Sequence, residues 1–223
     1  MSVKEYTDYR ERNPYLIPRQ ANVGNPRFYT NDQEKVYDEV YLSQRNAVVK
    51  QHFLNLPHLT CDKNREYFAE AYAMCQEFGL LPIMVVHEHY DEELVGQFYA
   101  TVHVGNEKDP ILSWMIRDVP VKAKWSEFGT VLGYKAGTGW RVHDGDRPSG
   151  KEVLTPMTMP GGSPGQTEDL IPTYEIMHRV FRETITPRVG NWDQVHGYLI
   201  ELLKLCHEKQ GTGEKLDVMD VII

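Results

Sequence analysis

His87-Glu88-His89 is the pattern with the most chemical potential in this chain, and Asp91, Glu92 and Glu93 follow it closely. Histidines at i and i+2 of a strand point to the same face and could hold a metal ion. A zinc site needs a third ligand, and the helical HExxH arrangement is absent. The triplet therefore reads as a polar strand end leading into an acidic helix cap. Cys206-His207 is the second candidate pair. Neighbours on a helix point about 100° apart, so the two do not readily share one ion. Cys206 continues an apolar helical stripe and is expected as a core thiol. The contexts of papain-like, caspase-like and thioredoxin-like cysteines are missing.

Gly161-Gly162-Ser163-Pro164-Gly165-Gln166-Thr167 opens a helix and has the outline of a phosphate loop. In such a loop a lysine meets the terminal phosphates. Here Gln166 stands in the lysine position, and Pro164 removes one amide from the cradle, so a flexible hinge is expected. Ser113 and Ser126 lack any GxSxG context. Trp114, Trp125, Trp140 and Trp192 are expected as core or domain-interface anchors. The alternation of basic and aromatic residues seen in single-strand binders is not found. No catalytic, cofactor-binding or metal-binding residue is assigned. The expectation is a non-enzymatic protein without a cofactor.

The elements that would position these residues come next. Asn31-Asp32 is expected to cap a helix over 33–53, with Val36, Val40 and Ala47 as its apolar stripe. Pro57 ends that segment. A second helix is expected over 64–78, with Phe68, Ala71, Tyr72 and Cys75 on one face and Gly79 as its left-handed C-cap. Leu80 to Val86 reads as a short strand. Asp91 is placed to cap a third helix whose buried stripe is Leu94, Val95, Phe98 and Val102. A strand is expected over 111–116, a turn at Asp118-Val119-Pro120 and a second strand from Val121. A short helix over 126–132 would have Ser126 as cap, Gly133 as stop, and Phe128, Val131 and Leu132 facing inwards. A longer helix over 168–185 carries Tyr174, Met177, Phe181 and Ile185. Asn191 with Gln194 resembles a capping box. It opens a last stripe of Trp192, Val195, Leu199, Leu202 and Cys206. Lys215 to Ile223 begins one more element and ends on an apolar tip that reads as the edge of a longer chain.

Four segments result. Residues 1–30, with Pro14, Pro18 and Pro26, form an extended or disordered arm. Residues 31–134 form a helical domain with short strands. Residues 135–166 are dense in glycine and proline and read as a loop or linker. Residues 167–223 form C-terminal helices packed on the preceding domain. The fold class expected is mainly α (α+β), a multi-helix domain with a β-hairpin or short sheet.

Bulk properties bound the function. The chain has 223 residues, 41% hydrophobic and 25% charged, which is within the globular range. A net charge of -8 argues against binding nucleic acid through phosphates and against an anionic membrane surface. Three scattered cysteines, Cys61, Cys75 and Cys206, point to buried free thiols in a reducing compartment. No signal peptide and no membrane span are expected. The location expected is intracellular, cytoplasmic or nuclear.

Three stretches carry a family likeness. The first is Glu93 to Val102. The second is Trp114 to Gly133, with its Ser-Glu-Phe core and terminal Val-Leu-Gly. The third is Phe181 to Asn191, Phe-Arg-Glu-Thr-Ile-Thr-Pro-Arg-Val-Gly-Asn, followed by Lys215 to Asp220. Over 60–223 their order and spacing resemble the open-reading-frame-one proteins of plant Athila-type Gypsy retrotransposons and the related plant transposon domain. The resemblance implies a gag-region protein that self-associates or scaffolds, with another protein or element RNA as further partner. It carries over no catalytic residue. Gly96 stands where the family pattern leads one to expect a basic residue, and the chain stops where the family continues. The alternatives are a domesticated host interaction module, a DNA-binding transposase-type protein, and a metal-dependent hydrolase using His87 and His89.

Overall fold

A threonine, not the asparagine after it, opens the first helix. In the computed structural model, Thr30 is in extended backbone and its Oγ1 accepts from the Gln33 amide, so α1 runs Asn31–Val36. It continues over Tyr37–Leu42 in wider turns that bond five residues back, as Ser43 N–H does to the Asp38 carbonyl. The structure describes residues 23–43, 55–85, 90–105, 110–134, 139, 141–142, 150–186, 192–218 and 221. The rest of the helix expected up to Phe53 lies outside them.

The chain divides into two units, each discontinuous: 1–49 with 88–131, and 50–87 with 132–223. This differs from the expected break at 135–166. Among the described residues the fold is mainly α with a three-stranded antiparallel sheet, as its class predicts. No helix among the described residues is long and apolar enough to cross a membrane.

In the first unit, α1 and its continuation are followed by α5 (Glu92–Thr101), β1 (His103–Val104), β2 (Ile111–Ile116), β3 (Val119–Lys124) and α6 (Trp125–Val131). Asp91 caps α5 as expected, its carboxylate accepting from the amides of Glu93 and Leu94. The buried face of α5 is Gly96, Gln97, Ala100 and Thr101, not the Leu94–Val95–Phe98 stripe. Gly96 explains part of this rotation: a Cβ there would lie 3.1 Å from the rings or stem of Tyr37 and Tyr41, so the helix closes on its neighbour through a glycine. Gln97 explains the rest. Its amide donates to the carbonyls of Arg27 and Arg117 and accepts from the Arg117 amide. Arg117 is the first residue of the β2–β3 turn and has a φ of 54°. The turn is therefore Arg117-Asp118, and Val119 and Pro120 belong to β3, which lies at the sheet edge where proline is tolerated.

Two apolar clusters fill this unit. One joins Phe28, Val36, Tyr37, Val40 and Ala100; the other joins Val102, Leu112 and Trp114. Phe28, Tyr29 and Thr30 are buried, so the end of the expected arm is core. The α6 helix starts at Trp125, ahead of Ser126, and Val131 is 85% exposed instead of inward. Gly133, expected as the stop, follows with a left-handed φ of 80°.

The second unit contains α2 (Leu56–Thr60), α3 (Arg65–Glu77), α4 (Leu81–Met84), α7 (Pro172–Arg179) and α8 (Tyr198–Lys209). Gly79 ends α3 as predicted. The Leu80 amide reaches the Cys75 carbonyl and the Gly79 amide reaches Gln76, the two bonds of a Schellman cap. The segment expected as a strand is α4. Pro82 sits in its first turn, where an amide has no helical partner to lose. The glycine-rich segment from 150 onwards is not a linker. Lys151–Met157 forms a tight 3-10 turn that buries Leu154 and Met157 completely. These join Phe78, Leu80, Met177 and Phe181 in one core. Helix α7 begins at Pro172, later than expected, and continues over Val180–Ile185 in wide turns. Tyr174, Met177, Phe181 and Ile185 are all buried, as their spacing requires. Helix α8 begins at Tyr198. Val195, Leu199, Leu202 and Cys206 are buried, whereas Trp192 is 51% exposed and stands outside the stripe.

Candidate interaction site

The sequence-derived candidates do not converge. His87, Glu88 and His89 lie outside the described residues, as do Trp140 and Asn191. Of the acidic residues after the triplet, Asp91 is spent on the helix cap, and Glu93 pairs with Arg27 at 2.6 Å. The guanidinium of Arg27 also lies over the Phe28 and Tyr37 rings. Among the described residues no His, Cys, Asp and Glu side chains gather as metal ligands. Ser113 is buried in β2, and Ser126 lies within α6.

Cys206 is a core thiol, fully buried, and burial pushes its pKa well up, with the nearby Cys75 adding to it. The Cys75 thiol is pushed up to about 12 by burial and rests 3.5 Å from the Met177 sulfur. Both therefore stay protonated and poorly nucleophilic, whereas Cys61 is exposed and not buried as expected. His207 meets Tyr174, its Nδ1 lying 2.7 Å from the Tyr174 hydroxyl.

The glycine loop is closed on itself. The Ser163 amide donates to the Asp169 carboxylate at 2.9 Å, so the position a phosphate would take is already negative. A Cβ on Gly162 would come within 2.9 Å of Asp169 Cβ, and Gly165 has a φ of 88°. Gln166 bridges to Gln194, whose side chain accepts from Lys151 Nζ at 3.0 Å. These bonds make a braced loop of the expected hinge.

What the second unit does present is an open apolar groove of about 390 Å³ between α3 and α7. Tyr67, Phe68, Ala71 and Tyr72 form one wall, and Ile176 and Val180 form the other. The walls follow from the helix registers. Residues 67, 68, 71, 72 and 75 lie on one face of α3, and the expected stripe differs in depth: Ala71 and Cys75 are buried, Phe68 and Tyr72 are half-buried, and all four line the groove. Along the α7 rim stand Glu175, Arg179 and Glu183, and Arg179 bonds Glu175 at 2.8 Å. Tyr67 is 59% exposed at the mouth and packs edge-on against Phe68 with ring centroids 4.9 Å apart. The chain matches no family model, no curated protein and no solved structure. The groove was missed in sequence because its residues occur as two separate helical stripes about a hundred positions apart.

Proposed function

We propose that this chain is a non-enzymatic, gag-region-like protein that acts by self-association, as its resemblance to plant retrotransposon proteins implies. The observation that carries the reading is the open apolar groove with its rim of alternating charge. Glu175, Arg179 and Glu183 follow one another at helical spacing. An antiparallel pairing of α7 with α7 of a second copy sets Arg179 of each against Glu175 of the other. Such a contact is self-complementary, which is what a two-fold interface requires. Exposed aromatics such as Tyr67 are the residues that anchor interfaces of this kind. The protonated, buried state of Cys75 and Cys206 leaves neither thiol as a nucleophile.

Size-exclusion chromatography with light scattering tests it. The expected mass at high concentration is at least twice the 25.8 kDa of one chain. Tyr67→Glu places a charge in the mouth of the groove without touching the core, and should return the chain to monomer with unchanged circular dichroism. A strict monomer at every concentration, or assembly indifferent to Tyr67→Glu, overturns the proposal.

A further inference from the structure

A second cavity, of about 690 Å³, borders the same Glu175–Arg179–Glu183 ridge and takes in His178, Glu168 and Asp193, which the groove does not. Its volume is within the range of small-molecule sites. Among the described residues, the carboxylates of Glu168, Glu175, Glu183 and Asp193 line it with the guanidinium of Arg179. Arg179 is already bonded to Glu175 at 2.8 Å. A second guanidinium nearby, that of the buried Arg182, is stacked 4.3 Å from the centre of the Trp192 ring. Among the described lining residues, carboxylates outnumber guanidiniums.

An acidic lining by itself is a solvated surface. His178 makes the difference. It lines this cavity, is 1% exposed, and neither of its ring nitrogens has a hydrogen-bond partner. Burial, with the positive charge of Arg182, Arg179 and His196, holds its pKa down to about 4. The ring is therefore neutral at physiological pH, with one nitrogen a bare acceptor and the other an unused donor. Native interiors rarely leave such a pair unmet, and a ligand is one way to meet it.

We propose that this cavity binds an ammonium-bearing ligand, with the Glu168 and Glu183 carboxylates balancing its charge and the His178 imidazole accepting one of its N–H bonds. The ammonium can come from a free di- or polyamine or from a lysine side chain of a peptide. The two sources share the chemistry and differ in what is attached to it. The assignment does not rest on the self-association reading, because Glu168 and His178 border this cavity alone, although Glu175, Arg179 and Glu183 border both.

Isothermal titration of the full chain at neutral pH tests it, with 1,4-diaminobutane, spermidine and a doubly capped lysine as separate ligands. One-to-one saturable binding of at least one ligand is expected, weakened about tenfold or more in Glu183→Gln and in Glu168→Gln. Binding should also shift the ring nitrogen resonances of His178. Amine binding without capped-lysine binding assigns the free amine, and the reverse assigns a lysine. No saturable binding of any of the three, or binding unchanged in both glutamine variants, overturns the proposal. So does saturable binding that leaves the His178 resonances unmoved.

Discussion

At the scale of single residues, His178 is the least settled side chain in the described structure. A buried polar group without partners costs about 1–3 kcal/mol relative to one that is bonded. His178→Phe removes that cost in nearly the same volume, and should stabilise the unliganded chain by about 1 kcal/mol in urea denaturation at neutral pH. The acid side carries a sharper expectation. The folded-state pKa of about 4 lies below the ordinary histidine value of 6.5. Between those values the unfolded chain binds a proton that the folded chain refuses. The stability this residue contributes is therefore complete above pH 6.5 and is lost as the pH falls towards 4. The loss amounts to about 3 kcal/mol at 1.36 kcal/mol per pK unit. Denaturation curves from pH 7 to 4 should show that extra slope in the natural chain and not in His178→Phe. Equal slopes in the two proteins would mean that the ring is solvated or paired in solution.

At the scale of elements, Gln97 ties α5 to the β2–β3 turn and to the chain before α1. Its three hydrogen bonds satisfy backbone groups of Arg27 and Arg117. Thr101, one turn on, donates to the Gln97 carbonyl and accepts from the Met115 amide. Gln97→Leu keeps the bulk and strips the bonds, leaving buried backbone groups unmet. A loss of about 2–4 kcal/mol is expected by thermal denaturation, with the amides of Arg117 in the turn and Met115 in β2 exchanging faster. Gly79→Ala is the corresponding test on α3. The φ of 73° there suits glycine, so a loss of about 1 kcal/mol is expected.

These two positions also show how legible elements were. The cap at Asp91 and the stop at Gly79 are local devices, completed within a few residues of chain, and both are where the sequence places them. The buried face of α5 is different. Gln97 and Thr101 are polar, and Gly96 is small, so a hydrophobic stripe cannot point to them. They face inwards because residues twenty and seventy positions away supply bonding partners. Likewise Leu80 to Val86 is apolar and short, and such a run fits a strand or a buried helical turn equally well.

At the scale of the whole molecule, the chain crosses between two units and returns. Phe78, Leu80 and Met84 from the first half share a core with Met177, Phe181 and Leu202 from the second. A fragment ending at Tyr134 keeps the first set and loses the second. It should leave α3 and α4 without amide-exchange protection, while the same helices in the full chain are protected. Protection equal in both would mean that residues 55–85 are stabilised without the second half.

What the sequence by itself determined is whatever local chemistry completes. The mainly α class with a short sheet follows from periodicity. The cap at Asp91, the stops at Gly79 and Gly133 and the inward stripes of α7 and α8 follow from spacing along one element. Cys206 as a core thiol follows from the same stripe. The tertiary structure alone decided the rest. It made core of the glycine-rich stretch, because Leu154 and Met157 find partners on other helices. It left Trp192 half exposed under Arg182. It set an apolar groove on one side of α7 and an unpartnered histidine on the other. Grooves and orphaned groups are relations between surfaces. A single chain of residues holds their parts without showing which parts will meet.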